Sequence, residues 1–199
     1  MEFHIENAVV YGIDKAIIAS GNAMRTEMED NTIAKTDKQL ERAVNLGKTE
    51  VGQGHDNFLN GIVVQFDLYA PLYMWKQIQR YHFMDFISSQ STMHRLVKFD
   101  VAGQCVADTD SVIIERYQYL LKTYNTAEFD DPEDKKALWR TLVASLPCGF
   151  VLGATMTTNY RQLKTIYHQR KGHRLKEWHE FCAWCETLPL FKKICLGVE

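Results

Sequence analysis

The sequence has no long apolar run and carries little net charge. Its apolar stretches stay well below the roughly 20 residues that a membrane helix needs, and its first residues lack the charged segment and apolar core of a secretory leader. We therefore expect a cytoplasmic protein without a membrane partner. Its 23 Lys and Arg against 25 Asp and Glu give a formal charge of −2, which argues against nucleic acid as a partner, because broad binding neutralises many phosphates with clustered basic residues.

The cysteines are too few and too scattered for a disulfide framework. Their number, five, is odd, and reduced thiols are the default inside cells. Cys182 and Cys185, with His173 and His179 upstream, have a spacing that zinc and redox sites also use. Both cysteines continue the apolar stripe of a predicted helix, so we favour core packing and predict no metal site.

The remaining composition is typical of a folded globular protein. The chain has 199 residues, of which 46% are hydrophobic and 12% aromatic, enough to bury a sizeable core. It contains no internal repeat, low-complexity tract or linker. The sequence therefore predicts one domain over residues 1–199.

Hydrophobic periodicity predicts secondary structure over most of the second half of the chain. Apolar residues alternate over residues 62–69 with a period of two, which indicates a strand. Pro71 suits the first position of a helix that continues to Tyr81, with Gln77 and Arg80 on one face. Further elements are predicted at residues 85–91 (a hydrogen-bonding loop), 111–124 (a helix capped within Thr109-Asp110-Ser111), 131–146 (a helix beginning at Asp131-Pro132), 150–157 (a strand), 159–170 (a helix) and 175–185 (a helix after Gly172).

Two polar, arginine-rich stretches interrupt this apolar pattern. The first runs from Gln77 to His82 and continues from Ser88 to Arg95, and the second runs from Asn159 to His173. Arginine presents a fixed fork of donors that suits phosphate and carbonyl oxygens, and amides and hydroxyls supply further hydrogen bonds around a heterocycle. Together the stretches predict an anionic nucleotide site.

Simpler interpretations of the same residues remain open. The serines of the predicted loop also suit a role in satisfying turn backbone groups. Arg80 and Arg95 also suit structural ion pairs, and Lys171 and Lys176 are best interpreted as a solvated helix face.

The first stretch resembles the signature of the flavin-dependent thymidylate synthases (ThyX). That signature is an Arg-His-Arg triplet, preceded three residues earlier by Gln, which opens a loop with Ser and Asn-Glu and ends in Arg-Tyr. This chain has Gln77, then Arg80-Tyr81-His82, then Ser88 and Arg95. The family also has a His in a Gly-His segment 25 residues before the first Arg, and His55 stands at that distance from Arg80.

The downstream sequence resembles the same family. ThyX proteins have Leu-Pro, then Asn-x-Arg, then an Arg, a His and a Glu in that order. Leu146-Pro147, Asn159-Tyr160-Arg161, Arg170, His173 and Glu177 reproduce this order, with one residue missing between Arg170 and His173. The resemblance covers roughly residues 50–185, and its specificity rests on the ordered set of motifs.

The resemblance implies an α/β (α+β) fold with a central antiparallel-rich sheet flanked by helices. It also implies a homotetramer with sites between subunits. The implied reaction is reductive transfer of a one-carbon (methyl) unit to C5 of a pyrimidine deoxynucleotide, of the dUMP to dTMP type. FAD is the implied cofactor, and methylenetetrahydrofolate and NADPH are the implied co-substrates.

The resemblance also implies roles for individual residues. Arg170, His55 and Ser88 would be catalytic, with Arg170 at the base to stabilise the negative charge that develops there. The flavin would contact His55, Asn57, Asn60, Arg80, Tyr81, His82, Asn159, Arg161 and His173. The nucleotide would contact Gln77, Arg80, Ser88, Ser89, Gln90, Ser91, Arg95 and Arg170.

Several positions depart from the family pattern. Gln90-Ser91 replace Asn-Glu, and Asn60 replaces a glutamate. Val143 falls where the family has a phosphate-binding arginine, with Arg140 one turn earlier as a possible substitute. These departures keep two other hypotheses open: a different pyrimidine nucleotide as substrate, and a flavin- or nucleotide-binding homologue without turnover. A helical domain that binds tRNA or DNA would need a wider basic surface than this sequence has.

Overall fold

The computed structural model describes residues 1–28 and 35–198, and these residues form two compact units. Both units are assembled from chain segments that are distant in sequence. The first unit comprises Met1–His4, Leu68–Arg80 and Ile87–Thr155, and the second comprises the described residues of Ile5–Asp67, Tyr81–Phe86 and Met156–Glu199.

The strands are His4–Tyr11 (β1), Val63–Pro71 (β2), Asp85–Ser89 (β3) and Val151–Asn159 (β4). They form a four-stranded antiparallel sheet with the order β1-β2-β4-β3. The β2–β4 register is visible at both ends: the Leu72 N–H donates to the Phe150 carbonyl (3.0 Å), and the Tyr160 N–H donates to the Ile62 carbonyl (3.0 Å). The α+β fold class with an antiparallel sheet is thereby confirmed.

Helices account for most of the other regular structure in the described ranges. None of them has the length and apolar character to cross a bilayer. The strand His4–Tyr11 and the helices Ile13–Ala19 and Asp37–Gly47 were not predicted. The α-helices are Ile13–Ala19 (α1), Asp37–Gly47 (α2), Leu72–Ile78 (α3), Thr92–Arg95 (α4), Val101–Gln104 (α5), Ser111–Thr126 (α6), Pro132–Ala144 (α7), Tyr160–Arg170 (α8) and Lys176–Thr187 (α9), with short 3-10 turns at Asn22–Met24, Asn57–Gly61 and Leu96–Lys98 and a π turn at Lys192–Leu196.

Strand β2 confirms the interpretation of the period-two pattern. Val64, Phe66 and Leu68 are fully or almost fully buried, while the residues between them are only partly buried. Successive side chains of a strand point to opposite faces, so this alternation places one face in a core. The helices predicted from their caps are also confirmed, since the Asp110 and Asp131 side chains accept backbone N–H groups at the starts of α6 and α7.

The prediction was wrong in three places near the first polar stretch. Pro71 ends β2 with an extended ψ of 151° and lies one residue before α3. Helix α3 ends at Ile78, so Tyr81 lies outside it. Residues 85–89 form β3 rather than a loop, and all five are exposed. A strand at the sheet edge with both faces exposed needs no apolar alternation, so its sequence lacks the signal that identified β2.

Each unit has its own buried aromatic residues. In the first unit, Tyr117 and Phe150 are buried with Leu142, and the Tyr117 hydroxyl donates to the Leu142 carbonyl (3.1 Å). In the second unit, Trp178 and Phe181 of α9 are fully buried. The apolar stripe of α9 therefore packs into a core, as predicted.

Candidate functional site

His55 lies in a turn whose backbone depends on glycine. Gly52 and Gly54 adopt φ values of 101° and 81°, a left-handed conformation that side chains with a Cβ disfavour. His55 and the nearby Asn57 and Asn60 are exposed. The three implied flavin contacts on this segment are therefore accessible from solvent.

A buried ion cluster next to His55 attaches this turn to α8. Asp56 has a side chain only 1% exposed; its Oδ1 lies 3.1 Å from Arg161 Nε, and its Oδ2 lies 2.8 Å from Lys164 Nζ. Lys164, also 1% exposed, donates in addition to the Thr49 carbonyl at 2.5 Å. Both charged groups of the Asp56–Lys164 pair are buried away from water. Removing one of them is therefore strongly destabilising, because the other charge stays buried without this partner.

The same helix start fixes Asn159. Its side chain accepts the Gln162 N–H (2.9 Å) as the N-cap of α8, and Arg161 follows two residues later. The structure thus brings Asn159 and Arg161 together with the His55 turn. Sequence reasoning missed Asp56 and Lys164, although the three-residue spacing of Arg161 and Lys164, which places both cations on one helix face, was an available signal.

Arg170, at the other end of α8, lies against two aromatic rings. Its guanidinium carbon is 5.4 Å from the Tyr81 ring centroid and 4.7 Å from that of Trp178. Its Nε donates to the Tyr81 hydroxyl at 2.6 Å, and that hydroxyl donates to Gln169 Oε1 at 3.1 Å. Cation–π contacts together with a charge-assisted hydrogen bond orient this arginine.

The segment that carries Tyr81 and His82 is itself constrained. Phe83 has a φ of 60°, which is uncommon for a bulky residue. The Thr158 hydroxyl donates to the Phe83 carbonyl at 2.7 Å. Strain of this kind persists only where neighbouring contacts stabilise it, and it is frequent near functional sites. His82 is exposed beside it.

His173 lies just beyond Arg170, near the same aromatic residues. Its ring centroid is 6.3 Å from that of Trp178, and its Nδ1 accepts the Leu175 N–H at 3.2 Å. Burial, and then the charge of Arg170, lower the pKa of His173. A neutral His173 is therefore favoured at neutral pH, consistent with the acceptor role of Nδ1.

In the first unit, the residues at the end of α3 are more accessible. Gln77 is partly buried near the end of the helix, and the Arg80 N–H donates to the Gln77 carbonyl (3.3 Å) in the turn that follows. The Arg80 side chain is exposed. The prediction that Gln77 and Arg80 share one face of a helix was wrong, because α3 ends at Ile78 and only Gln77 is helical.

Strand β3 and the start of α4 carry the remaining nucleotide candidates. Ser88 and Ser89 are exposed, and Ser91 caps α4 by accepting the His94 N–H at 3.2 Å. Arg95 ends α4 with an exposed side chain. Ser91 therefore has the structural role that was the simpler alternative at this position.

Gln90 forms hydrogen bonds with both backbone groups of Gly153 in β4. Its N–H donates to the Gly153 carbonyl (2.9 Å), and its side-chain Oε1 accepts the Gly153 N–H (2.9 Å). The side chain thus extends the ladder of β3 by one backbone-like hydrogen bond. Sequence reasoning missed this role, because the partner is 63 residues away.

The position of the missing phosphate arginine is apolar in structure as well as in sequence. Val143 is partly buried and packs against the core of the first unit. Arg140, one turn earlier on α7, has an exposed side chain. In this turn of α7, Arg140 is therefore a cation that solvent can reach.

The cysteine pair lies in the core of the second unit. Cys182 and Cys185 are 5% and 0% exposed. Burial raises the pKa of Cys182 to about 11 and also raises the pKa of Cys185 well above its ordinary value. Thiols with raised pKa values are poor metal ligands and nucleophiles at neutral pH. Within the described part of the chain, no group of three or more His, Cys, Asp or Glu side chains is arranged to hold a metal ion.

The chain is an α+β protein, and its fold is that of the flavin-dependent thymidylate synthases. A structure of Thymidylate Synthase X (ThyX) from Helicobacter pylori with FAD and dUMP has a TM-score of 0.70 and 17% identity, over 100% of both chains. A second Helicobacter pylori ThyX structure, complexed with FAD and dUMP, has a TM-score of 0.62 and 14% identity, over 98% of both chains.

A third similar structure has a different stated activity. The UMP/dUMP methylase PolB from Streptomyces cacaoi, bound with 5-Br dUMP, has a TM-score of 0.69 and 14% identity, over 98% of this chain and 95% of that one. No protein-family sequence model matches the chain, and no curated protein matches it by sequence. The resemblance inferred from the motifs is thus confirmed at the level of the fold.

Proposed function

We propose that this protein is an FAD-dependent methyltransferase that transfers a one-carbon unit to C5 of a pyrimidine deoxynucleotide, converting dUMP to dTMP. Methylenetetrahydrofolate is the proposed donor, and NADPH the proposed reductant. The observation that carries the proposal is a fold shared over the whole chain with a ThyX structure that contains FAD and dUMP. Arg170, at the motif position for the base, supports it because its side chain is oriented by Tyr81 and Trp178.

The residues of the His55 turn and of α8 have the chemistry that FAD requires. Exposed imidazole and amide groups at His55, Asn57 and Asn60 suit the polar edge of a flavin ring. Arg161 uses one of its five guanidinium donors on Asp56, and a partly exposed guanidinium suits a diphosphate. We propose that these residues bind FAD with Arg80, Tyr81, His82, Asn159 and His173.

The nucleotide is proposed to bind through the polar residues of α3, β3 and α4 together with Arg170. The exposed guanidinium groups of Arg80 and Arg95 suit a phosphate, and the exposed hydroxyls of Ser88 and Ser89 suit the sugar or the base. Gln77, Gln90 and Ser91 complete the proposed set. Because the Gln90 carbonyl oxygen accepts from Gly153, we assign the ligand contact of Gln90 to its amide NH₂.

Bound FAD, in its reduced form, supplies the electrons that convert the transferred unit into a methyl group. The protein binds and orients the reactants. Arg170 stabilises the negative charge that develops on the pyrimidine during attack, and its fixed orientation makes this stabilisation available without reorganisation. Ser88 and His55 are proposed to act at the reacting centre.

A second candidate is a related activity on another pyrimidine nucleotide, or binding without turnover. Two observations favour it: the position of the phosphate-binding arginine is the packed Val143, and one structure of similar fold belongs to a UMP/dUMP methylase. A shift of phosphate binding from this position to Arg140 or Arg95 would alter how the sugar is placed.

We also propose a cytoplasmic, single-domain chain that assembles into a homotetramer. The exposure of all five β3 residues supports assembly, because an edge strand with apolar residues such as Phe86 and Ile87, 44% and 51% exposed, favours burial against another chain.

Equilibrium dialysis of the folded protein against FAD, followed by calorimetric titration with dUMP, dCMP and UMP, tests the proposal. We expect FAD uptake and micromolar or tighter binding of at least one nucleotide. Arg80→Ala should weaken FAD binding, whereas Arg116→Ala, at an exposed position on α6, should not. Absence of FAD uptake by the folded wild-type protein would refute the cofactor assignment.

A further inference from the structure

Tyr81 stands where the ThyX signature has histidine, and its hydroxyl makes a contact that an imidazole cannot reproduce in the same form. The hydroxyl accepts from Arg170 Nε at 2.6 Å and donates to Gln169 Oε1 at 3.1 Å. A phenol has one proton and two lone pairs. With its proton directed to Gln169, its lone pairs are available to the arginine, so the direction of this hydrogen-bond chain is determined.

Trp178 contacts the same guanidinium from another element. Its ring centroid lies 4.7 Å from the Arg170 guanidinium carbon, and the Tyr81 and Trp178 rings meet edge to face, with centroids 6.1 Å apart. Trp178 is fully buried, so its ring is a fixed surface. Arg170 is therefore oriented by the segment after α3, by α8 and by α9.

We propose that Tyr81 is a positioning residue for Arg170, and through Arg170 a determinant of pyrimidine-base affinity. This inference rests on the proposed function, in which Arg170 binds the base. Arginine side chains are long and flexible, and fixing one before the ligand arrives lowers the entropy lost on binding. The hydroxyl of Tyr81 thus affects the nucleotide through Arg170, a role distinct from the flavin contact that the motif implies for this residue.

Tyr81→Phe is the direct test, because it removes only the hydroxyl and keeps the ring. We expect dUMP affinity to fall by about tenfold, since a hydrogen bond to a charged group is lost. The thermal midpoint should stay near the wild-type value. Affinity for 2-deoxyribose 5-phosphate, which has no base, should also stay unchanged, measured as competition with dUMP.

Two further variants separate positioning from other effects. In an Arg170→Lys background, Tyr81→Phe should have little additional effect, because lysine has no Nε–H fork for the hydroxyl to orient. Tyr119→Phe is the matched control: Arg116 lies 5.2 Å from the Tyr119 ring on exposed α6, and the control should bind dUMP as the wild type does.

The outcomes distinguish this inference from the proposed function. Unchanged dUMP affinity in Tyr81→Phe would overturn the positioning role, as would an equal loss in both backgrounds or an equal loss for the baseless sugar phosphate. If the wild-type protein binds FAD and no pyrimidine nucleotide, the proposed substrate is wrong, and the inference fails with it for that separate reason.

Discussion

Two groups of candidate residues differ in how firmly the protein fixes them. In the second unit, Arg161 and Arg170 contact buried or aromatic neighbours before any ligand binds. In the first unit, Ser88, Ser89 and Arg95 project from an exposed edge strand and a four-residue helix. A fixed side chain loses little entropy on binding, whereas an exposed one must be ordered by the ligand or by another chain. We therefore expect the second unit to contribute more affinity per residue.

The largest expected effect concerns the buried pair beneath the His55 turn. Lys164→Met leaves the Asp56 carboxylate, 1% exposed, without its ammonium partner, and breaking a buried pair from one side costs about 3–5 kcal/mol. Urea unfolding measures this loss. Lys136→Met is the control, since the Lys136–Glu133 pair is 64% exposed on both sides and should change stability by less than about 1 kcal/mol. Equal effects of the two variants would show that the Asp56 cluster is not structurally important.

The next largest effect is expected on nucleotide binding, when Arg170 or Arg95 is replaced. Arg170→Ala should weaken pyrimidine nucleotide binding by about 3 kcal/mol, and Arg95→Ala by about 1.5 kcal/mol, the two ends of the range for charge-assisted hydrogen bonds. The difference follows from the fixed orientation of Arg170 and the exposure of Arg95. Calorimetry with dUMP and dCMP on folded variants measures both. A larger loss for Arg95 would reverse the comparison.

Substitutions of Gln90 and of the two serines of β3 should have different effects, on stability and on nucleotide binding respectively. Gln90→Ala removes the hydrogen bond from the Gly153 N–H and should lower the free energy of unfolding by about 0.5–1.5 kcal/mol. Ser88→Ala and Ser89→Ala should leave stability almost unchanged and weaken nucleotide binding. Denaturant unfolding combined with nucleotide titration distinguishes the two roles. A stability loss in the serine variants without an affinity change would assign them to the fold.

The smallest expected effect is the pH dependence from His173. Because burial and then Arg170 lower its pKa in the folded state, the unfolded chain takes up this proton first as the pH falls. Stability from this group is thus complete above the ordinary histidine pKa of about 6.5 and declines as the pH falls towards the lower folded pKa. His173→Gln should flatten the stability profile between pH 7 and 5. A steeper profile would contradict this sign.

The sequence predicted the elements whose local pattern matches their environment. Strand β2 showed its period of two because one face is buried. The starts of α6 and α7 were indicated by capping residues, within Thr109-Asp110-Ser111 and at Asp131, and the structure has Asp110 and Asp131 as the N-caps. Strand β3 gave no such signal, because neither of its faces is buried.

The sequence indicated which residues belong to the candidate site, but it did not indicate which of their side chains contact one another. Motif spacing identified Tyr81 and Arg170 as candidates, but nothing local indicates that their side chains meet across 89 residues. Asp56 and Lys164 are 108 residues apart. Their pairing depends on tertiary packing, which also desolvates both charges.

Release of the C5 hydrogen of a pyrimidine deoxynucleotide tests the central claim most directly, because methyl transfer to C5 requires its loss. The protein with reduced FAD and methylenetetrahydrofolate should release tritium from 5-tritiated dUMP to solvent. Arg170→Lys, which keeps the charge but lacks the planar fork, should slow release far more than it weakens dUMP binding. No release from dUMP, dCMP or UMP, in protein shown to contain both flavin and nucleotide, would contradict the proposed methyltransferase.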